Sequence, residues 1–209
     1  SIYMSRSSLE MRKQALSDVS ESIANYLEEF YKTQMDDLEF TAQIPAFAKS
    51  LSDPSNSELL EPAQQLLNIS AKTNSVVNRN SIIDLSGNVV ASSDPNYQGT
   101  NVRDSSMFKT LIEQNKDSYN EVVDTPSNGS KCLALAIKIY DPSQKPIGIL
   151  NRNVSIGSIN QQISQRKVGD SGYVYILDSK AKQLSTIMEE GLSSEESQEN
   201  ALNNDAEIG

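Results

Sequence analysis

Ser81-Ile82-Ile83-Asp84-Leu85-Ser86-Gly87-Asn88-Val89-Val90-Ala91-Ser92 is the stretch that decides the architecture. Two apolar runs rich in β-branched residues, Ser81–Leu85 and Val89–Ser92, flank Ser86-Gly87-Asn88, so the segment reads as strand, tight turn and strand. Downstream, Ser105–Glu113 is expected as a short helix, capped by Asp104 or Ser105 and carrying Met107, Phe108, Leu111 and Ile112. A strand at Tyr119–Val123 leads through the turn residues Pro126-Ser127-Asn128-Gly129 into Cys132–Tyr140, a near-continuous apolar run of central-strand type. Asp141-Pro142-Ser143-Gln144 then turns the chain into Pro146–Ile156. Strands joined by hairpins, with one helix between the second and third, predict an α+β domain on a five-stranded antiparallel sheet.

Upstream, Leu9, Leu16, Ile23 and Phe30 recur at a spacing of seven, with Val19, Tyr26 and Leu27 in the intermediate turns. Met35, Leu38 and Phe40 extend the apolar face, and no Gly or Pro intervenes before Pro45. This predicts a long helix from about Ser1 to Ala48. Its narrow seam fits a helix laid along its own domain, and equally one that pairs with a second copy. Asp53-Pro54 breaks the chain, and a second helix follows, capped by Ser55 or Ser57 with a stripe of Leu59, Leu60, Ala63, Leu66, Leu67 and Ala71. Beyond the sheet come a linker helix from Ile159 to about Lys167, a turn at Gly169-Asp170-Ser171-Gly172, and a strand at Tyr173–Leu177. A weaker strand, Gln183–Ile187, completes the pattern.

Composition removes several classes of chemistry. The chain has 209 residues, enough for one large or two small domains, and a formal charge of 18 − 28 = −10. It contains no histidine and a single cysteine, Cys132. A His general base, a Ser-His-Asp or Cys-His triad, a His-ligated zinc, a Cys cluster and an intrachain disulfide are therefore all excluded. The acidic balance argues against nucleic acid, which needs a basic footprint. Seven carboxylates and no base lie between Glu189 and Glu207, which reads as a solvated tail. Carboxylate pairs such as Asp36-Asp37 exist, but no pattern splits their acidities as acid–base catalysis requires. A non-enzymatic protein without cofactor or metal is expected. No stretch reaches the roughly 18–20 apolar residues of a membrane span, and no signal peptide is visible. The chain begins inside a helical pattern and stops in a polar run, so it is expected to be a piece of a longer protein.

Four segments carry a family likeness. They are the hairpin Ile82–Ser93, the stretch Arg103-Asp104-Ser105-Ser106-Met107-Phe108-Lys109, the strand Ile147–Leu150 continued by Asn153-Val154-Ser155-Ile156, and Gly169–Asp178. In this order they resemble the opening hairpin, pocket-lid helix and last strand of the membrane-distal module, and the start of the membrane-proximal module, of the extracytoplasmic double Cache sensor domains of bacterial transmembrane receptors. The leading helix resembles the stalk helix of such receptors. The likeness covers roughly residues 1–187. It implies a PAS-like module outside the cell that reads a small polar molecule and signals through its long helix. The output domain would be that of a chemoreceptor, histidine kinase or diguanylate cyclase. Implied partners are the ligand, a carboxylate or other small metabolite, and a second copy paired through the N-terminal helix. The full-length protein would be membrane-anchored. The alternative is a ligand-free Cache module that dimerises or docks a protein.

The expected organisation is a stalk helix and second helix over 1–75, a membrane-distal module over 76–158, a linker helix and the start of a second module over 159–188, and the acidic tail over 189–209. The rest of the second module would follow Gly209 or come from the divergent tail. In the amino-acid-binding branch of the family an arginine stands three residues before an aromatic. With Phe108 as that aromatic, the position here is Ser105, and Arg103 is the nearest guanidinium, either a ligand contact or a loop anchor. The family's late-strand aspartate corresponds to Asn153, which cannot neutralise a ligand ammonium. Met107 and Phe108 could wall a pocket or simply be core, and Tyr119 has the apolar body and polar tip of a rim residue. Asn151, Asn153 and Ser155 share one face of the last strand, either toward solvent or beneath the lid helix. Cys132, opening an apolar strand, is expected to be a buried, inert thiol.

Overall fold

A computed structural model describes residues 2–125 and 130–164. The sheet is as expected: β1 (Val77–Asp84), β2 (Val89–Ser92), β3 (Ser118–Asp124), β4 (Lys131–Tyr140) and β5 (Pro146–Ser155) pair in the order β2-β1-β5-β4-β3. Every pairing is antiparallel. The central strand β5 and its neighbour β4 are buried along nearly their whole length, which is why both faces of β4 read as apolar.

The long helix is shorter than its pattern suggested. α1 (Ile2–Ala42) stops before Ala48, and α2 (Pro45–Ser52) begins as a separate helix. Pro45 is the cause: it has no N–H to continue the ladder, and it drives Ile44 into extended backbone (φ −64°, ψ 123°). The same proline is well placed at the first position of α2. α3 (Ser57–Thr73) is capped by Asn56, whose side chain accepts from the Glu58 N–H at 3.0 Å, rather than by Ser55 or Ser57.

Two compact units divide the chain. Residues 31–161 hold α2, α3 and the sheet. α2 approaches β5 so closely that a Cβ on Gly148 would lie 2.6 Å from Leu51 Cδ1 and 2.6 Å from the Ile83 carbonyl. The other unit comprises residues 1–30 and 162–209. Within it, Ile23 and Leu27 are buried, Tyr26 and Phe30 set their rings 6.1 Å apart, and the Tyr26 hydroxyl bonds to Gln162 Oε1. α5 (Ile156–Ser164) supplies the last described turn and starts earlier than the expected Ile159. The side chains of Leu9, Leu16 and Val19, the turn at 126–129, the strands expected at 173–177 and 183–187, and the acidic tail lie outside the described residues. Among the described residues no helix is long and apolar enough to cross a membrane.

Candidate functional site

The β1–β2 turn sets the entry to the site. Asp84 Oδ1 accepts from the N–H groups of Ser86 and Asn88 at 2.8 and 2.9 Å, and Gly87 closes the turn at φ +87°. The following segment folds back over this turn, with Val102 N–H donating to the Gly87 carbonyl at 2.7 Å. It delivers α4 (Ser106–Phe108), which continues as a π-helical turn, Lys109–Glu113. Ser105 is the cap: its hydroxyl donates to the Val102 carbonyl at 2.7 Å and accepts from Phe108 N–H at 3.2 Å. At the far end the buried Lys138 reaches Asn115 Oδ1 at 2.6 Å. This lid is thus tied at both ends. Removal of the cap in Ser105→Ala should cost about 1 kcal/mol and lower Tm by roughly 2–4 °C, read by thermal denaturation.

Cross-strand register defines what lies under the lid. Met107, Phe108 and Leu111 pack with Ile83, Val89, Tyr119, Ala134, Ala136 and Ile149, which places this face of the sheet beneath the lid. Side chains alternate along a strand, so Asn151 and Asn153 share the face of Ile149, and both are buried. Two rows then cross the sheet: Arg79–Asn153–Ala134–Glu121, and Ser92–Ser81–Asn151–Ala136–Tyr119. Asn151 Nδ2 donates to the Leu135 carbonyl at 3.1 Å and to Asn153 Oδ1 at 3.3 Å, and the Ser81 and Ser92 hydroxyls lie 2.9 Å apart. The Tyr119 hydroxyl donates to Glu121 Oε2 at 2.9 Å; burial first, and then this carboxylate, push its pKa up, so the phenol stays neutral. Burial likewise raises the Cys132 thiol.

Among the anticipated residues, Met107, Phe108 and Tyr119 meet in one cluster, with Asn151 and Asn153 on the same face. Ser105 serves the lid as its cap. Arg103 stands apart: its backbone lies against Gly87 and its side chain is exposed. Three residues on this face were not anticipated: Arg79, Ser81 and Ser92. The strand expected from Ser81 in fact begins at Val77, so Arg79 fell outside the expected element. The signal was nevertheless present, since Arg79, Ser81 and Ile83 keep the strand's period of two. Tyr97 covers Arg79 with its ring centroid 3.5 Å from Cζ.

The opposite face is built differently. Arg152, 1% exposed, donates through Nε to Asn80 Oδ1 (3.0 Å), through Nη1 to Gln34 Oε1 (3.1 Å) and Asp37 Oδ2 (2.6 Å), and through Nη2 to Ser70 Oγ (3.3 Å). One side chain of β5 thereby ties α1, α3 and β1. An open groove of about 980 Å³ elsewhere is lined by Glu39, Lys49, Asp117, Ile137 and Pro142 among others. Its charged groups largely reach solvent and need no ligand to satisfy them, so the buried polar face under the lid is the stronger candidate. Among the described residues no cluster of His, Cys, Asp or Glu could hold a metal ion.

Comparison with known proteins agrees with this geometry. A family model described as Cache domain (dCache_1) matches residues 4–204. The sensor domain of the Vibrio cholerae histidine kinase DctB superposes with a TM-score of 0.61 at 16% identity, over 75% of this chain and 59% of that one. The Escherichia coli DcuS sensor domain gives 0.53 at 17% identity, over 70% of this chain and 98% of that one. The sensory domain of the Campylobacter jejuni chemoreceptor Tlp3 with isoleucine bound gives 0.61 at 13% identity, over 79% and 68%. No relative was found among curated protein sequences. At these identities the structural likenesses establish the fold, and the chain spans 59% of the DctB chain it matches.

Proposed function

The chain belongs to the Cache domain family, and from that premise we propose that it is an extracytoplasmic ligand-sensing part of a bacterial membrane receptor, without enzymatic activity of its own. Residues 76–158 would be the membrane-distal sensing module, 1–75 its stalk and second helix, 159–188 the start of a second module, and 189–209 a tail. The observation that carries this reading is a buried polar face where a sheet beneath a lid would ordinarily be apolar. Asn151, Asn153, Ser81, Ser92 and Arg79 are all at most 8% exposed there. Asn151, Asn153, Ser81 and Ser92 bond to one another or to the backbone, whereas Arg79 Nε has no partner among the described residues; burying such a group unpaired is costly, and this points to a polar ligand. A small molecule would bind between these residues and the lid, with Met107, Phe108 and Tyr119 as the apolar wall. Arg103, exposed at the lid's entry, would anchor the loop rather than touch ligand.

Transmission would run through β5. The strand that presents Asn151 and Asn153 to the lid presents Arg152 to α1, so a shift of the sheet on lid closure is felt at Gln34 and Asp37 of the long helix. Signalling further requires that ligand bind the two states with different free energy. In a homodimer paired along α1, that displacement would pass toward the membrane.

A thermal-shift screen of the 209-residue chain against small polar metabolites tests the sensing role. A ligand present at 100 times its Kd should add about 2.7 kcal/mol, and the gain should vanish in Asn151→Leu. One observation favours a second reading, the ligand-free docking module: Met107, Phe108 and Leu111 are themselves buried against the sheet, at 7%, 2% and 0% exposure. A screen silent for every compound class would establish that alternative over the sensor.

A further inference from the structure

Arg79 is 8% exposed, yet its Nε has no hydrogen-bond partner among the described residues, and none of the three ion pairs found there involves its guanidinium. Its neighbour in register shows that this is not a general failure of the fold to satisfy buried arginine. Asn80 pairs with Arg152 and Arg79 with Asn153, so the two guanidinium groups leave adjacent rungs of the same ladder toward opposite faces. Arg152 has a carboxylate and three neutral acceptors. Arg79 has an aromatic ring over one face, and its Nε finds no partner among the described residues. A buried guanidinium without a counter-charge is strongly unfavourable, whereas Tyr97 fixes its plane and leaves the edge open.

Resting on the sensor reading above, we propose that Arg79 is the receptor for a carboxylate of the ligand, and that the ligand is therefore a small organic acid. The guanidinium edge offers parallel N–H donors, the geometry a carboxylate accepts in bidentate form. Asn153 stands beside it on β5 and adds a neutral amide. The carboxylate in the same row, Glu121, sits two strands further on, is exposed, and is engaged by the Tyr119 hydroxyl. Among the described residues, the end of the row at Arg79 thus carries one positive charge without an ion-pair partner.

The test pairs acids with their isosteric amides on the 209-residue chain: acetate, propionate, butyrate and succinate against acetamide, propionamide, butyramide and succinamide, by thermal shift and calorimetry. At least one acid should raise Tm while its amide does not. Arg79→Met should weaken that acid about 10- to 100-fold, as expected for loss of a charge-assisted pair, and Arg79→Lys should weaken it less. Without ligand, Arg79→Met should melt about 2–4 °C or more above the parent, because it removes an unpaired buried charge. Equal binding of acid and amide, or acid binding that survives Arg79→Met, overturns the assignment and leaves the sensor reading standing. So does a panel in which only neutral or cationic compounds of the wider screen bind. A ligand-free Arg79→Met that melts below the parent also overturns it, since Arg79 would then be a structural residue. If no compound of either panel binds, the sensor reading falls as well.

Discussion

Arg152→Ala is expected to destabilise the domain by about 3–5 kcal/mol, the range for disrupting a buried, hydrogen-bonded charge. The loss has several parts. Asn80 and Gln34, both buried, lose the donor that satisfies their amide oxygens, and removal of a side chain that is 1% exposed leaves a cavity between sheet and helices. Asp37 contributes little to the penalty, because its side chain is 54% exposed and water can replace the guanidinium. Asp37→Ala should accordingly cost less than Arg152→Ala. Arg152→Met, which keeps the stem's volume, should fall between them. Urea denaturation of the three variants measures the order. Equal losses in Asp37→Ala and Arg152→Ala would show the ion pair, not the network, to be the source of stability.

On the proposed reading, this network would let one strand serve sensing and coupling together. Along β5, Asn151, Arg152 and Asn153 alternate between the lid face and the helix face, and all three are buried. A side chain repositioned by ligand on one face would move the backbone that carries the grip on α1 on the other. The pull is local: Gln34 and Asp37 lie one helical turn apart on α1, and Ser70 on α3 holds the same guanidinium. Close packing makes such a contact resistant to gradual deformation, which suits a switch between two arrangements.

The five strands, the helix between β2 and β3, and a cap at Asp104 or Ser105 were legible in the sequence, because each is written in local signals: alternation, turn residues and a cap. The break between α1 and α2 was legible too in principle. Pro45 was seen as the first interruption, but the apolar pattern through Ala48 outweighed it, although a proline restricts the residue before it. The site was harder. Arg79 and Arg152 drew no reading from the sequence, because burial of a polar residue depends on what crosses over it, and for Arg152 that is settled by partners 72 to 118 residues away in the chain. Asn151 and Asn153 gave a face but not its direction. Only the register with Ala136 and Ala134, which share the lid's apolar cluster, turns that face inward.

The turn that launches the lid gives the second large effect. A methyl group at Gly87 would lie 2.7 Å from the Arg103 nitrogen, 2.8 Å from its Cβ and 2.9 Å from its Cα, so backbone rather than a movable side-chain tip must yield. The residue also sits at φ +87°, where an L side chain is strained. Gly87→Ala should therefore lose about 2–5 kcal/mol, strain of about 1–2 kcal/mol plus the displacement of the segment at 101–103. Gly99 supplies the internal control. It too has positive φ, at +80°, but nothing lies within 4 Å of its would-be Cβ, so Gly99→Ala should show the strain alone. Because the displaced segment carries Ser105 to its capping position, Gly87→Ala should also loosen the lid. Faster amide exchange at Phe108 and Leu111, with Gly99→Ala near the parent, is the expected result. Equal losses and equal exchange in the two variants would mean that the clasp between Gly87 and Arg103 does not hold the lid.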